Sequence, residues 1–227
     1  MPLVPDPRST TSGKRDNGVT VTNMIIILLG APGAGKGTQS EILKDQLDMV
    51  HVSSGDLLRE NIKNDTELGR VAKGYMTDGG FVPDDLIISM ITDRLALPDA
   101  ERGVLLDGFP RTGPQAQALD KALSIGGKQV NAALYIVVDD DVLLDRLSGR
   151  WICRNCGHIY HERNSPPKVE GVCDVCGGEL YQRDDDTRET AIKRVAKFHN
   201  DTMPIIEYYR KQGKMQEVNG DQSVERV

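Results

Sequence analysis

The chain of 227 residues contains no apolar run of membrane-spanning length. Its first 23 residues hold no hydrophobic segment of the secretory type, so no signal peptide is expected there. It has no excess of basic residues. The 28 Lys and Arg against 34 Asp and Glu leave a net charge of −6, which argues against broad nucleic-acid affinity. It has no internal repeats and no recognisable Ser/His/Asp set, and all of its cysteines, four in number, fall between Cys153 and Cys176. No nucleic-acid or membrane partner is expected, and nothing points outside the cytoplasm. The length allows one good core with inserted subdomains.

The stretch around which the chain is organised is GAPGAGKGT at 30–38. A β-branched apolar run at 24–29 precedes it and reads as a buried parallel strand. Ile42, Leu43 and Leu47 follow at helical spacing, which predicts a helix starting near Gly37. Strand, glycine loop and helix together make a phosphate cradle. The backbone N–H groups of Gly33, Ala34, Gly35, Gly37 and Thr38 converge on phosphate oxygens at the positive end of a helix, and Lys36 adds a mobile cation. The general P-loop pattern places a hydroxyl directly after the Lys. Here Gly37 intervenes and the hydroxyl is Thr38, which weakens the case for direct Mg²⁺ ligation by the loop.

Residues 1–23, rich in Pro, Ser, Thr, Gly and Asn, read as a disordered extension or tag. A second strand is predicted at 49–54, with Ser54, Gly55 and Asp56 capping the next helix. A helix ends at the paired glycines near 79–80, and another opens at Pro83 with Leu86, Met90, Ile91 and Leu95 toward the core. A third strand at 103–107 closes on Asp107. If it lies beside the first strand, Asp107 faces the P-loop at the carboxyl edge, where a Mg²⁺ role through bound water suits it better than a turn cap. A fourth strand spans 132–138. The acids at 139–141 start a helix that carries Arg146 and is expected to put Arg150 on the same face. After the insertion a long helix runs from Thr187 through Ala191, Ile192, Val195 and Phe198, divided near Pro204. A weakly apolar fifth strand lies at 214–220.

The pairs Cys153-x-x-Cys156 and Cys173-x-x-Cys176 are each followed by Gly, sixteen residues apart. Four thiolates at this spacing specify tetrahedral Zn²⁺ and leave no open coordination position. Iron is the second choice, and disulfides are disfavoured in a cytosolic chain. His158 and His161 read as structural or solvated. Residues 151–181 thus form a small metal ribbon that can move as a unit. With all four thiols claimed, cysteine nucleophiles drop out. Lys36, Arg59, Arg111, Arg146, Arg150, Arg183 and Arg194 stand at element ends or beside glycine turns. Singly each is a solvated charge; together they suit a site holding two polyanions.

The segments GAPGAGKGTQ (30–39), SSGDLLR (53–59), DGFPRTGPQ (107–115), DRLSGR (145–150) and RDDD (183–186) resemble the ordered signature set of the adenylate kinase family. The four-cysteine ribbon resembles the long zinc-bearing lid common in its Gram-positive bacterial members. The likeness covers about residues 24–222, and the GKGT ending of the P-loop is ordinary in that family. It implies an α/β fold of the P-loop nucleoside monophosphate kinase type, with a five-stranded parallel sheet. The core comprises 24–52, 83–149 and 187–227, with a helical AMP-binding insert at 53–82 and a zinc-binding lid at 150–186. It implies ATP + AMP ⇌ 2 ADP with Mg²⁺, in a monomer. Carried over residue by residue, Lys36 grips the ATP phosphates with Arg146, Arg150 and Arg183, and Gly220 lies on the ATP side. Arg59 and Arg111 hold the AMP phosphate, and Arg183 also lies on the AMP side. Arg194 bridges donor and acceptor phosphates. Ser54, Phe81, Val82, Gly108 and Gln115 contact AMP, Gln115 reading adenine, and Asp107 organises Mg²⁺. The N-terminal extension departs from the family pattern. So does the ending at Val227, where relatives usually continue into another helix, a difference expected to leave apolar core surface uncovered. The alternatives are a UMP/CMP kinase or a GTP-dependent AMP kinase and, in another class, a zinc-ribbon binding module on an ATPase scaffold.

Overall fold

The computed structural model describes residues 22–77 and 80–227. The expected extension, up to residue 21, and Gly79 of the paired glycines lie outside them.

Five parallel strands form the central sheet. They are β1 (Ile25–Leu29), β2 (Val50–Ser53), β3 (Val104–Asp107), β4 (Ala132–Val137) and a late strand, Met215–Asn219, in the spatial order second, third, first, fourth, last. Every residue of β1 is buried, as its unbroken apolar run requires for a strand covered on both faces. The helices are α1 (Lys36–Leu47), α2 (Ser54–Lys63), α3 (Glu67–Thr77), α4 (Asp84–Leu95), α5 (Gly113–Ile125), α6 (Asp140–Ser148), α7 (Arg188–Lys197) and α8 (Met203–Lys211). A second, antiparallel sheet of β5 (Arg150–Cys153), β6 (Ile159–His161) and β7 (Leu180–Tyr181) lies between α6 and α7 in the chain, and Met215–Asn219 is then β8.

The largest cluster of buried apolar side chains includes Ile25, Ile27 and Leu29 of β1, Val104 and Leu106 of β3, Ile87 and Ile91 of α4, Leu119 of α5, and Ile205 and Tyr209 of α8. Full burial of each large side chain is worth roughly 1.5–3 kcal/mol. A second cluster joins Ala34 of the phosphate loop to Leu143 and Leu147 of α6 and to Val195 and Phe198. The loop therefore rests on packed helix.

Register places the carboxyl ends of the strands together. Leu28 pairs with Asp107, Ser53 pairs with Asp107, and Val137 pairs with Asn219. The phosphate loop, Ser54, Gly108 and Gly220 all begin just beyond this one edge, where strand order reverses and where open α/β sheets bind their ligands.

Several local expectations shift. The cap of α2 is Ser53, one residue earlier than expected, its hydroxyl accepting from the Asp56 N–H at 3.2 Å. The N-terminus of α6 has no side-chain cap from Asp139. Instead the Asp221 carboxylate accepts from the Asp139 N–H at 3.2 Å, and Asp140 pairs with His199. In α4 the fully buried positions are Ile87 and Ile91, with Leu86, Met90 and Leu95 partly buried against the same core. Ile192 of α7 is half exposed. The division near Pro204 is a π-helical segment, Phe198–Thr202, because the proline cannot donate into a continuous helix. Arg146 and Arg150 do not share a helix face. Gly149 closes α6, and Arg150 opens β5.

Candidate active site

Lys36 is the first residue of α1, and its Nζ curls back to donate to the Gly30 carbonyl at 2.9 Å and the Ala31 carbonyl at 3.2 Å. Gly35, in the left-handed region, precedes the helix, while Gly37 and Thr38 lie in its first turn. The lid reaches this point: Ile159 of β6 lies against Gly37, its Cδ1 4.0 Å from where a Cβ would stand. A side chain at Gly37 would take up part of the gap between lid and loop.

The loop after β3 ties the insert to the core. The Ser54 hydroxyl and the Arg111 Nε both donate to the Gly108 carbonyl, each at 2.6 Å. Gly108 has φ +72°, and a Cβ there would stand 2.9 Å from both Ser54 Oγ and Arg111 Nη2, so only glycine fits. The Phe109–Pro110 peptide is cis. The Arg111 guanidinium lies 5.3 Å from the Phe81 ring centre, and Lys197 covers the same ring at 4.5 Å. Val82 is buried and packs in the main core. Gln115 is buried, its Oε1 accepting from the Arg111 N–H at 2.7 Å and its Nε2 donating to Asp84 at 2.6 Å.

Four of the expected arginines fall into two pairs, each sharing one carboxylate. Arg150 is held bidentately by Asp186, at 2.8 and 2.5 Å. Arg194 shares that fully buried carboxylate at 2.9 Å and also pairs with Asp185 at 3.1 Å. Arg59 pairs with Asp56, and Arg183 comes within 3.8 Å of the same carboxylate, so insert and lid base meet there. Arg183 Nε is buried with no hydrogen-bond partner among the described residues. Arg146 stands apart from Arg150 and donates to the Gly220 carbonyl at 3.0 Å.

These cations crowd one another. Burial, with Arg111, Arg194 and Arg150 adding to it and Asp107 opposing it, brings the Lys36 ammonium down to about 8. Burial and the neighbouring Arg194 bring Arg111 down to about 10. Burial, then Arg59 and Arg150, bring Arg183 down to about 10. Such a cluster is relieved by anions, and phosphates match guanidinium geometry. Asp107 is the counterweight. Burial opposes its charge, but His51, Lys36 and Arg111 outweigh that and hold its pKa below the ordinary carboxylate value. His51 Nε2 lies 3.6 Å from Asp107 Oδ2, and Nδ1 lies 3.5 Å from Glu41. A carboxylate kept ionised in this place fits a hydrated Mg²⁺.

The Sγ atoms of Cys153, Cys156, Cys173 and Cys176 lie within 4.8 Å of one another. Cys153 and Cys176 approach to 3.4 Å and Cys156 and Cys173 to 3.6 Å, near the roughly 3.8 Å edge of a tetrahedron with metal–sulfur bonds of about 2.3 Å. The Asn155 N–H points at Cys153 at 3.4 Å, and the Tyr160 hydroxyl donates to Cys173 at 3.5 Å. A Cβ at Gly178 would stand 2.9 Å from Cys153 Sγ, so the second knuckle needs that glycine. The chemistry of this donor set fits a soft metal ion. His161 is no part of it. Its ring takes the N–H groups of Arg163 and Asn164, and burial holds its pKa below the ordinary value.

No individual role in this site was expected of Asp84, Thr112, Asp56, His51, Lys197 or the Asp185–Asp186 pair, although Asp56, Thr112 and the Asp185–Asp186 pair lie inside the signature segments. His51 left a trace, a polar residue between the buried Val50 and Val52 of β2.

A P-loop facing a strand-end aspartate, an arginine cluster and a separate ribbon bearing four thiols defines a phosphotransferase of the nucleoside monophosphate kinase class. The chain matches the family model described as adenylate kinase over residues 28–214. It is 52% identical over 201 residues to an adenylate kinase of Caldicellulosiruptor bescii, covering 88% of this chain and 94% of the relative. It is 51% identical over 205 residues to one from Streptomyces avermitilis, covering 90% and 93%. It is 48% identical over 204 residues to one from Listeria monocytogenes, covering 90% and 95%. The chain belongs to the adenylate kinase family.

Proposed function

We propose that this chain carries out reversible phosphoryl transfer, ATP + AMP ⇌ 2 ADP, in the crevice beyond the carboxyl ends of β1, β2, β3 and β4. The carrying observation is the buried cation cluster beside the P-loop, where burial first and neighbouring arginines second lower the proton affinity of Lys36, Arg111 and Arg183. Two closely spaced polyphosphate groups are the ligands that relieve it.

Gly33, Ala34, Gly35, Gly37 and Thr38 offer backbone N–H groups to the ATP phosphates, and Lys36 leaves its two carbonyls to bind them. Arg150 and Arg183 come in from the lid. Arg146 helps hold the ATP phosphates, and Gly220 lies on the ATP side. The α2–α3 insert brings Arg59 and Ser54 to the AMP phosphate, with Arg111 from the β3 loop, and Phe81, Val82, Gly108 and Gln115 shape the nucleoside pocket. Arg194 lies between the two phosphates and stabilises charge on the transferring group. Asp107 orients the waters of a bound Mg²⁺. That ion, when bound, neutralises the β- and γ-phosphate charge. The acceptor is an ionised phosphate and needs no general base. Catalysis is positioning and electrostatics, and the lid excludes water that would otherwise hydrolyse ATP. The metal of the ribbon is Zn²⁺ in a structural role. Among the described residues no helix is long and apolar enough to cross a membrane. A cytoplasmic monomer is the accompanying reading.

A turnover assay pairing ATP with AMP, UMP, CMP and GMP tests this. Fast ADP formation with AMP is expected. Turnover with UMP but not AMP would overturn the assignment.

A further inference from the structure

We infer that Asp84, at the start of α4, sets the base specificity of the acceptor site by locking the Gln115 side-chain amide in one orientation. This rests on the proposal that Gln115 contacts the acceptor base.

The three bonds involved have fixed polarity. Gln115 Nε2 donates to Asp84 Oδ1 at 2.6 Å. The Thr112 hydroxyl donates to Asp84 Oδ2 at 2.9 Å. The Arg111 peptide N–H donates to Gln115 Oε1 at 2.7 Å. An ionised carboxylate only accepts and a peptide N–H only donates. Turning the amide by half a revolution would set its oxygen against the Asp84 carboxylate and its NH₂ against the Arg111 N–H. Both hydrogen bonds would become repulsions, in a residue that is 2% exposed. The partners therefore decide which amide atom is oxygen.

Each end of the amide keeps one valence. Nε2 has a second hydrogen and Oε1 a second lone pair. An acceptor base meets a donor beside an acceptor in one order only. A 6-aminopurine answers it, with a ring nitrogen that accepts and an exocyclic amine that donates. A 6-oxopurine of the same shape presents the reverse, a ring N–H and a carbonyl. A Gln free to turn would serve both. Discrimination between them thus belongs to the lock, and Asp84 holds one of its two ends without touching the base.

The test compares AMP with IMP, which differ in this edge alone. Asp84→Asn keeps the shape, but its carboxamide can donate as well as accept, so it tolerates the turned amide. The AMP-to-IMP ratio of kcat/KM should fall by about 10- to 100-fold, chiefly through KM for the monophosphate, with KM for ATP unchanged. Asp85→Asn removes the same charge from the same helical turn at an exposed position and should leave the ratio alone. An unchanged ratio in folded Asp84→Asn, while Gln115→Ala collapses it, would overturn the role of Asp84 and keep the base contact. If Gln115→Ala also leaves the ratio and KM for AMP unchanged, the base contact itself fails and the lock with it. Should Asp84→Asn not fold, NMR of the unaltered protein decides. One Gln115 amide proton should be shifted downfield and protected by its carboxylate bond. Two equivalent, rapidly exchanging amide protons would overturn the inference.

Discussion

Asp186→Asn probes the arginine scaffold at its most concentrated point. The Asp186 carboxylate is fully buried and takes two hydrogen bonds from Arg150 and one from Arg194. The amide keeps the volume and offers one accepting oxygen, while its NH₂ faces guanidinium N–H groups that can only donate. Breaking a buried pair by removing one partner costs about 3–5 kcal/mol. Arg194 retains Asp185 at 3.1 Å and its carbonyl at 2.8 Å, which favours the low end. Arg150 has no comparable second partner among the described residues. A loss of about 3 kcal/mol in a chain of this size corresponds to a fall in Tm of about 6–12 °C. The rate should fall too, by about 100-fold, because Arg150 and Arg194 lose the support that aims them into the crevice. Calorimetry and a coupled ADP assay read the two effects. Asp184→Asn removes the same charge from an exposed neighbour and should shift Tm by no more than about 2 °C. If Asp186→Asn melts with Asp184→Asn and turns over within about threefold of the unaltered enzyme, the arginines are not organised by this carboxylate and the argument fails.

Two further outcomes follow from the same geometry. Burial holds Lys36 down at about 8, so the free protein loses this cation as pH rises through that value. The kcat/KM for ATP should then fall about tenfold per pH unit above about 8, while kcat holds, because bound phosphate restores the proton. The stability effect runs the other way. Folding strips protons from Lys36 between about 8 and its ordinary 10.5, so the group destabilises the fold at lower pH and that penalty fades as pH rises through the window. A flat ATP profile to pH 10 would contradict the burial argument. Removing the ribbon metal with a chelator should raise amide exchange in β5–β7 by about 100-fold or more while the core sheet stays protected, because the metal supplies the folding energy of so small a unit. Elemental analysis should find about one zinc per chain, and unchanged exchange on chelation would refute a structural metal.

The core was legible because its signals are local. A buried strand, a glycine loop and a helix occupy one stretch of chain, and the spacing of two Cys-x-x-Cys knuckles already points to the four-thiol cluster that the fold assembles. Asp107 was legible because it ends an apolar run whose neighbour is the P-loop strand. Arg146 and Arg150 were misread for an equally local reason. Spacing of four implies one helix face only while the helix continues, and Gly149 ends it. The acids that organise the site left no such signal. Asp186 meets Arg150 across 36 residues, and Asp84 meets Gln115 across 31. A carboxylate in the first turn of a helix already has an ordinary role as a dipole partner. Only packing shows that these two turn inward.

That division has a physical basis. A site meant to hold polyphosphate must bury and gather like charges before any phosphate arrives, and Lys36, Arg111 and Arg183 carry the cost in depressed pKa values, burial first and neighbouring arginines second. Acids drawn from distant parts of the chain offset the repulsion: Asp107 beside Lys36, Asp186 between Arg150 and Arg194, Asp56 between Arg59 and Arg183. Each acid must be strong enough to hold the cations in a folded protein and weak enough to be joined by a phosphate. Sharing one carboxylate between two arginines satisfies both demands. It leaves guanidinium N–H groups for the ligand, and it makes the lid base at Arg183 and the insert at Arg59 answer to the same charge, Asp56. Neutralising Asp56 should therefore disturb closure over both nucleotides at once, raising KM for ATP and for AMP together, where loss of Arg59 alone raises only the second.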